Sequence, residues 1–194
     1  EAFYLLGLIS YKKQQYQKAR WYFSLNGDEL SESWILKCLY EQDEKELFFD
    51  QLDSLSKKGH CNAIIGAVGC RANIRYNALK KNSFCTDPLN YVVSKDLTRQ
   101  YDFQNIFIDP VKTLLEDDTI NYRGQGLLKN GAQTEGNLFL LKRHLTKNIH
   151  EVITKEIAEY REKFRKSKEN FIQYWPIEHN LTSWLIQMKS GGEL

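Results

Sequence analysis

Apolar residues recur at helical spacing from the start of the chain. In EAFYLLGLISYKK, Phe3, Leu6 and Ile9 fall on one side of a helix, and Gly7 leaves room for a neighbouring helix to come close. After a polar break, YQKARWYFSL continues the pattern with Tyr16, Ala19 and Phe23, so the two segments predict a helix hairpin. Three more helices are expected. They are SESWILKCLYEQ, capped by Ser31; DEKELFFDQLDSLSKK, with Phe48, Leu52 and Leu55 on one side; and CNAIIGAVGCRANIRYNAL.

Near Lys80 the character changes. KKNSFCTDPLNYVV brings Asn, Ser, Thr and Pro, then an alternation of Leu89, Tyr91 and Val93 that predicts a strand. Asp109 and Pro110 form a cap and first-turn pair for a short helix, VKTLLED. NYRGQGLLKNGAQTEGN reads as a loop in which Gly124, Gly126, Gly131 and Gly136 mark turns needing positive φ. From Leu138 the stripe Leu141, Leu145, Ile149, Ile153, Ile157, Tyr160 and Phe164 predicts one long amphipathic helix, ended by Tyr174-Trp175-Pro176. Leu181 to Met188 alternates as a half-buried strand, with Trp184, Ile186 and Met188 on one face and Ser183 and Gln187 on the other. A turn at Ser190-Gly191-Gly192 and a restart at Glu193-Leu194 should follow. The expected fold class is α+β, with helical-repeat hairpins over 1–80 and a helix-rich mixed region over 81–194. Because the chain opens on Glu1 inside a helical pattern and stops where a partner strand should begin, it is expected to be a piece of a longer protein.

Composition narrows the function classes. A hydrophobic content of 42% over 194 residues is enough for a core. Lys and Arg number 27 against 25 for Asp and Glu, so a net charge of +2 gives no general attraction to nucleic acid or an anionic membrane. The run Lys163, Arg165, Lys166 and Lys168 is interleaved with Glu162 and Glu169 and reads as a solvated helix end. No stretch approaches the roughly 20 apolar residues of a membrane span. Cys38, Cys61, Cys70 and Cys85 are widely spaced with no CxxC, which reads as reduced thiols and a cytoplasmic location.

The candidate chemistry is tested residue by residue. His144 and His150 lie six apart, about 120° around a helix, and cannot share a ligand. His60-Cys61 with Cys70 and Cys85 matches no zinc spacing. A facial triad needs His-x-Asp or His-x-Glu, but His60, His144, His150 and His179 are followed two places on by Asn62, Thr146, Val152 and Leu181. The glycine-rich segment matches neither GxxxxGK[ST] nor GxGxxG before a helix. The sequence therefore assigns no catalytic residue and no metal ligand within the chain.

Two resemblances add to this reading. The order Phe3, Leu6-Gly7, Tyr16, Ala19 and Phe23 resembles one tetratricopeptide repeat, with Tyr11 one place past the usual aromatic position. The later helices would then be degenerate repeats or a cap. From about Phe84, FCTDPLNYV, YDFQNIFIDPVKTLLED, the GAQTEGNLF passage and HNLTSWLIQMKSGGEL resemble the front half of the 2-oxoglutarate- and Fe(II)-dependent oxygenase domain that often follows tetratricopeptide repeats in bacterial proteins. Gly131, Gln133, Thr134, Asn137, Leu138 and Phe139 carry one part of the match, and Trp184 with Gly191-Gly192 carries the other.

The resemblance implies a double-stranded β-helix of jelly-roll type whose first strand ends at the glycine pair. It also implies Fe(II) and 2-oxoglutarate as cofactors of the intact protein, with iron ligands following Leu194 and none among the residues present. The repeat helices would hold substrate. The alternative is a non-catalytic module that binds a protein or peptide through a groove carrying Tyr11, Tyr16, Trp21, Tyr22 and Trp34. A transferase with a helical front end ranks lowest, since no phosphate-binding motif is present.

Overall fold

In the computed structural model, which describes residues 1–81, 83–124 and 128–193, the predicted helical front forms α1 (Ala2–Lys12), α2 (Tyr16–Asn26), α3 (Glu29–Glu41), α4 (Lys45–Lys57) and α5 (Ala63–Arg75). With the mixed sheet region described below, the architecture is α+β. Gly126 and Leu194, both invoked above, lie outside the described residues. Two compact units divide the chain: a helical unit, Glu1–Val92 with Phe164–Trp175, and a mixed unit, Val93–Lys163 with Pro176–Leu194.

The helical unit is built around α3, which shares its apolar faces between two cores. On one side Cys38 meets Ala19 and Phe23 of α2, rimmed by Tyr4, Leu8, Tyr11 and Trp34. On the other, Leu36 and Leu39 join Phe48, Leu52 and Leu55 of α4 and Ile65, Val68 and Ala72 of α5. The predicted close approach at Gly7 is present: a Cβ there would stand 2.5 Å from the Phe23 ring. That ring is fully buried and stacked on Trp34 at 5.8 Å, so it has little room to yield. Gly7→Ala should therefore overpack the hairpin and cost about 1–3 kcal/mol, despite alanine's better helix propensity. Thermal unfolding read at Trp34 checks this, and an unchanged midpoint would refute the packing argument.

The start of α3 corrects the sequence reading. Asp28, not Ser31, is the cap, its carboxylate accepting the Ser31 N–H at 2.7 Å. Ser31 is instead fully buried, its hydroxyl accepting from Asn26 Nδ2 at 3.1 Å. Asn62 caps α5 through the Ile64 and Ile65 N–H groups and also donates to Ser33 Oγ at 2.9 Å. The predicted strand at Leu89 to Val93 is absent. Pro88 opens a 3₁₀ turn over Pro88–Tyr91, with Asn90 Nδ2 donating to Asp87 at 2.8 Å. Around it Phe84 packs over Gly66 and beside Phe171, while Tyr91 meets Phe164 at 4.9 Å and Phe171 at 4.8 Å.

In the mixed unit, a π turn at Gln104–Ile108 runs directly into α6 (Asp109–Leu115). Asp109 is thus inside a helix rather than capping one. Pro110 lacks an N–H, and the backbone ahead of it widens so that the Asp109 N–H reaches Gln104 O. The glycine-rich segment forms the short strand β1 (Tyr122–Arg123) and β2 (Lys129–Thr134). β2 pairs antiparallel with β1 and with β3 (Ile186–Glu193), in the order β1-β2-β3.

Two further expectations are corrected here. The long helix is broken at Lys142, giving α7 (Leu138–Leu141) and α8 (Arg143–Lys163). Lys142 is drawn to Asp117 at 2.7 Å, and Thr146 Oγ1 adds a bond to the Leu138 and Lys142 carbonyls, which also accept backbone N–H groups across the break. α8 then ends at Lys163, well before Tyr174, and a separate short helix, α9 (Asn170–Gln173), follows in the helical unit.

The last strand also starts later than expected and does not turn at the glycine pair. Register passes from Gly131↔Met188 to Lys129↔Glu193, so residues 189–192 lie opposite Asn130 alone. Gly191, at φ +74°, makes this bulge possible. Of the predicted turn glycines among the described residues, Gly136 has the positive φ, at +73°. Gly131 instead sits inside β2, where a Cβ would press on Gln187 O at 3.2 Å. Among the described residues, no helix is long and apolar enough to cross a membrane.

Candidate functional site

The predicted aromatic groove separates into packing residues and accessible ones. Tyr11 lies edge-on to both Tyr16 (5.3 Å) and Trp34 (5.0 Å), and its hydroxyl donates to Glu41 at 3.1 Å. Burial, reinforced by that carboxylate, holds the Tyr11 phenol well above its ordinary pKa. Trp34 donates to Tyr4 Oη at 3.1 Å, and Lys37 Nζ lies 4.6 Å from its ring centre. These two rings belong to the α1–α2–α3 core. Trp21 is 56% exposed and packs on Tyr22 at 4.9 Å. Together with Tyr16, Lys18 and the carboxamides of Gln14, Gln15, Gln17 and Gln42, Trp21 borders a cavity of about 680 Å³. The site therefore offers an indole face, a phenol and neutral hydrogen-bonding amides. The glutamines were the signal missed in the sequence, because their part depends on the α1–α2 turn and the end of α3 bringing them beside Trp21.

The second candidate is a corner in the mixed unit. Thr134, at the end of β2, is fully buried; its N–H donates to Leu185 O at 2.9 Å and its hydroxyl accepts from the Leu185 N–H at 3.0 Å. Asn137 caps α7 through the Phe139 N–H at 3.1 Å. The same oxygen accepts the Ser183 N–H at 3.0 Å, and Asn137 Nδ2 donates to Leu181 O at 3.0 Å. The Leu138 N–H reaches Ser183 O at 2.9 Å. Thr134 and Asn137, from one part of the oxygenase resemblance, thus bond to Leu181, Ser183 and Leu185, which flank Trp184 of the other part.

Close to this junction, Asp117 binds Lys142 and also accepts from the Thr119 N–H (2.9 Å) and hydroxyl (2.6 Å). The Lys142 ammonium first, then Thr119, holds its carboxyl down to about 2, from 3.8. A depressed folded-state value means the pair stabilises the fold above the unfolded pKa and loses that contribution as pH falls through about 2. Asp117→Asn should accordingly lower stability at neutral pH. The gap from the parent protein should close between about 3.8 and about 2, as denaturant midpoints measured across that range would show.

Among the described residues, no group of three or more His, Cys, Asp or Glu side chains is arranged to hold a metal ion. His60 faces Glu32 at 3.2 Å, His144 is exposed on α8, and His150 packs edge-on to Phe139 at 4.9 Å. All four cysteines are free thiols; burial pushes Cys38 up to about 12 and Cys85 up to about 11. The described residues do not fit Fe(II). No family model, curated protein or solved structure matched the chain when each was searched.

Proposed function

We propose that this chain is the front part of a 2-oxoglutarate- and Fe(II)-dependent oxygenase, with tetratricopeptide-like helices for docking its substrate or a partner. One observation supports the reading: Thr134 and Asn137, from one part of the oxygenase resemblance, bond to Leu185 and Ser183 on either side of Trp184, from the other part, where β2 hands over to α7. Because the described residues do not fit iron, the reading requires ligands elsewhere in the protein, and no chemical step is assigned to residues of this chain.

The test is to read the coding sequence past Leu194, express the protein with it, and measure Fe(II)-dependent conversion of 2-oxoglutarate. Turnover abolished by a chelator is the expected result. An immediate stop codon, or no binding of either cofactor, would overturn it.

A second reading is favoured by the Trp21 cavity: a non-catalytic module that binds a peptide through Tyr16, Trp21 and the neighbouring glutamines. Peptides selected on the chain should then lose affinity at least tenfold with Trp21→Ala, whereas selection of peptides indifferent to that change would reject the site.

A further inference from the structure

A second cavity, of about 400 Å³, lies wholly in the mixed unit between the start of α8 and residues 179–181. Its walls carry Arg143 and Lys147, one turn apart on α8, with His150 a further turn along and His179 opposite. Phe139 and Leu181 supply apolar surface. The side chains of Arg143 and His179 have no polar partner among the described residues. Among the described residues the only carboxylate lining the cavity is Glu151, which pairs with Lys147 at 3.7 Å with both side chains more than half exposed. An ion pair that loose and solvated contributes little and gives way readily to another anion. Asn137 also lines the cavity, but its amide is spent on Phe139, Ser183 and Leu181.

We propose that this cavity binds a small organic anion, its phosphoryl or carboxylate group held by Arg143 and Lys147 and its carbon body resting on Phe139 and Leu181. A guanidinium with no internal partner supplies a fork of donors suited to either oxyanion. Two imidazoles on opposite walls add neutral or charged donors to the same group. The cavity is within the size range of small-molecule sites and combines an apolar floor with a few convergent polar groups. This inference is independent of the oxygenase reading and would survive its failure.

The test is an NMR titration of the imidazole nitrogens in the labelled chain with phenyl phosphate, benzoate, inorganic phosphate and sodium chloride at matched ionic strength. Phenyl phosphate or benzoate should move His150 and His179 together and saturably, leaving His60 and His144 in place. The tighter of the two identifies the anion. Arg143→Gln, at an exposed and unpartnered position, should fold normally and weaken binding about tenfold or more, and Lys147→Gln should weaken it as well. Shifts that never saturate, that sodium chloride reproduces, or that persist unchanged in Arg143→Gln would overturn the site. Inorganic phosphate binding as tightly as phenyl phosphate would overturn the part assigned to Phe139 and Leu181.

Discussion

Phe48→Ala should destabilise the helical unit by about 3–5 kcal/mol, enough to leave it largely unfolded if its stability is at the low end of the usual range. Phe48 is 0% exposed and sits in the core that α4 shares with α3 and α5, ringed by Tyr40, Phe49 and Tyr76 at 6.1, 5.3 and 6.5 Å. Removing the ring takes away its transfer free energy and leaves a cavity among Leu36, Leu52 and Ile65, whose helices are each held by other contacts and cannot collapse freely. The adjacent Leu47 is 50% exposed, so Leu47→Ala should change stability by no more than about 0.5 kcal/mol. Denaturant unfolding followed at Trp34 compares the two. Similar losses at both positions would show that helix propensity, rather than the buried face of α4, controls this region.

That contrast between neighbours was legible in the sequence, since Phe48, Leu52 and Leu55 recur at helical spacing and all three are fully buried. Local pattern succeeded on α4, where burial repeats every turn, but chose the wrong face of α1: Phe3, Leu6 and Ile9 are exposed, and Tyr4, Leu8 and Tyr11 meet the core instead. It also failed at the ends of elements, where one polar side chain decides. Asp28 takes the cap of α3 from Ser31 because its oxygen reaches the Ser31 N–H, and the serine hydroxyl is engaged by Asn26. Leu145, Ile149, Ile153, Ile157 and Tyr160 are half-buried along α8 as the stripe predicts, but Leu141 is exposed, and the stripe does not reveal that Lys142 bonds to Asp117, a residue 25 positions away, at the point where the helix breaks.

The sheet was the least legible part. Its strands are read poorly from composition because β2, Lys-Asn-Gly-Ala-Gln-Thr, has almost no strand-forming residues and is held by pairing with β1 and β3 and by the buried Thr134. The glycine pair looked like a turn because Gly191 does require positive φ. Only the facing Asn130 shows that the extra residues form a bulge within a continuing strand. For the candidate sites, Trp21 and Tyr16 were legible as aromatics on a hairpin, whereas the cavity of Arg143, Lys147, His150 and His179 was not. The break after α7 and the fold-back of residues 177–181 create that cavity, and neither leaves a periodic signal.

The same fold-back gives the second large expected effect. Asn137→Ala should cost about 2–4 kcal/mol, more than an ordinary helix cap, because one side chain serves two segments. Its oxygen accepts from the Phe139 and Ser183 N–H groups while its nitrogen donates to Leu181 O. Phe139 N–H keeps Ser183 Oγ as a second partner at 3.1 Å, but the Ser183 N–H and the Leu181 carbonyl each lose a part-buried partner. Asn137→Asp separates the roles: it retains the acceptor, so the Phe139 and Ser183 N–H bonds should survive, but it sets a carboxylate against Leu181 O and loses that bond. Amide exchange gives the readout, with the Thr134 and Leu185 N–H groups expected to lose protection by roughly thirty-fold or more in Asn137→Ala. If those amides keep their protection, Thr134 alone holds the approach to β3 to β2, and Asn137 does no more than start α7.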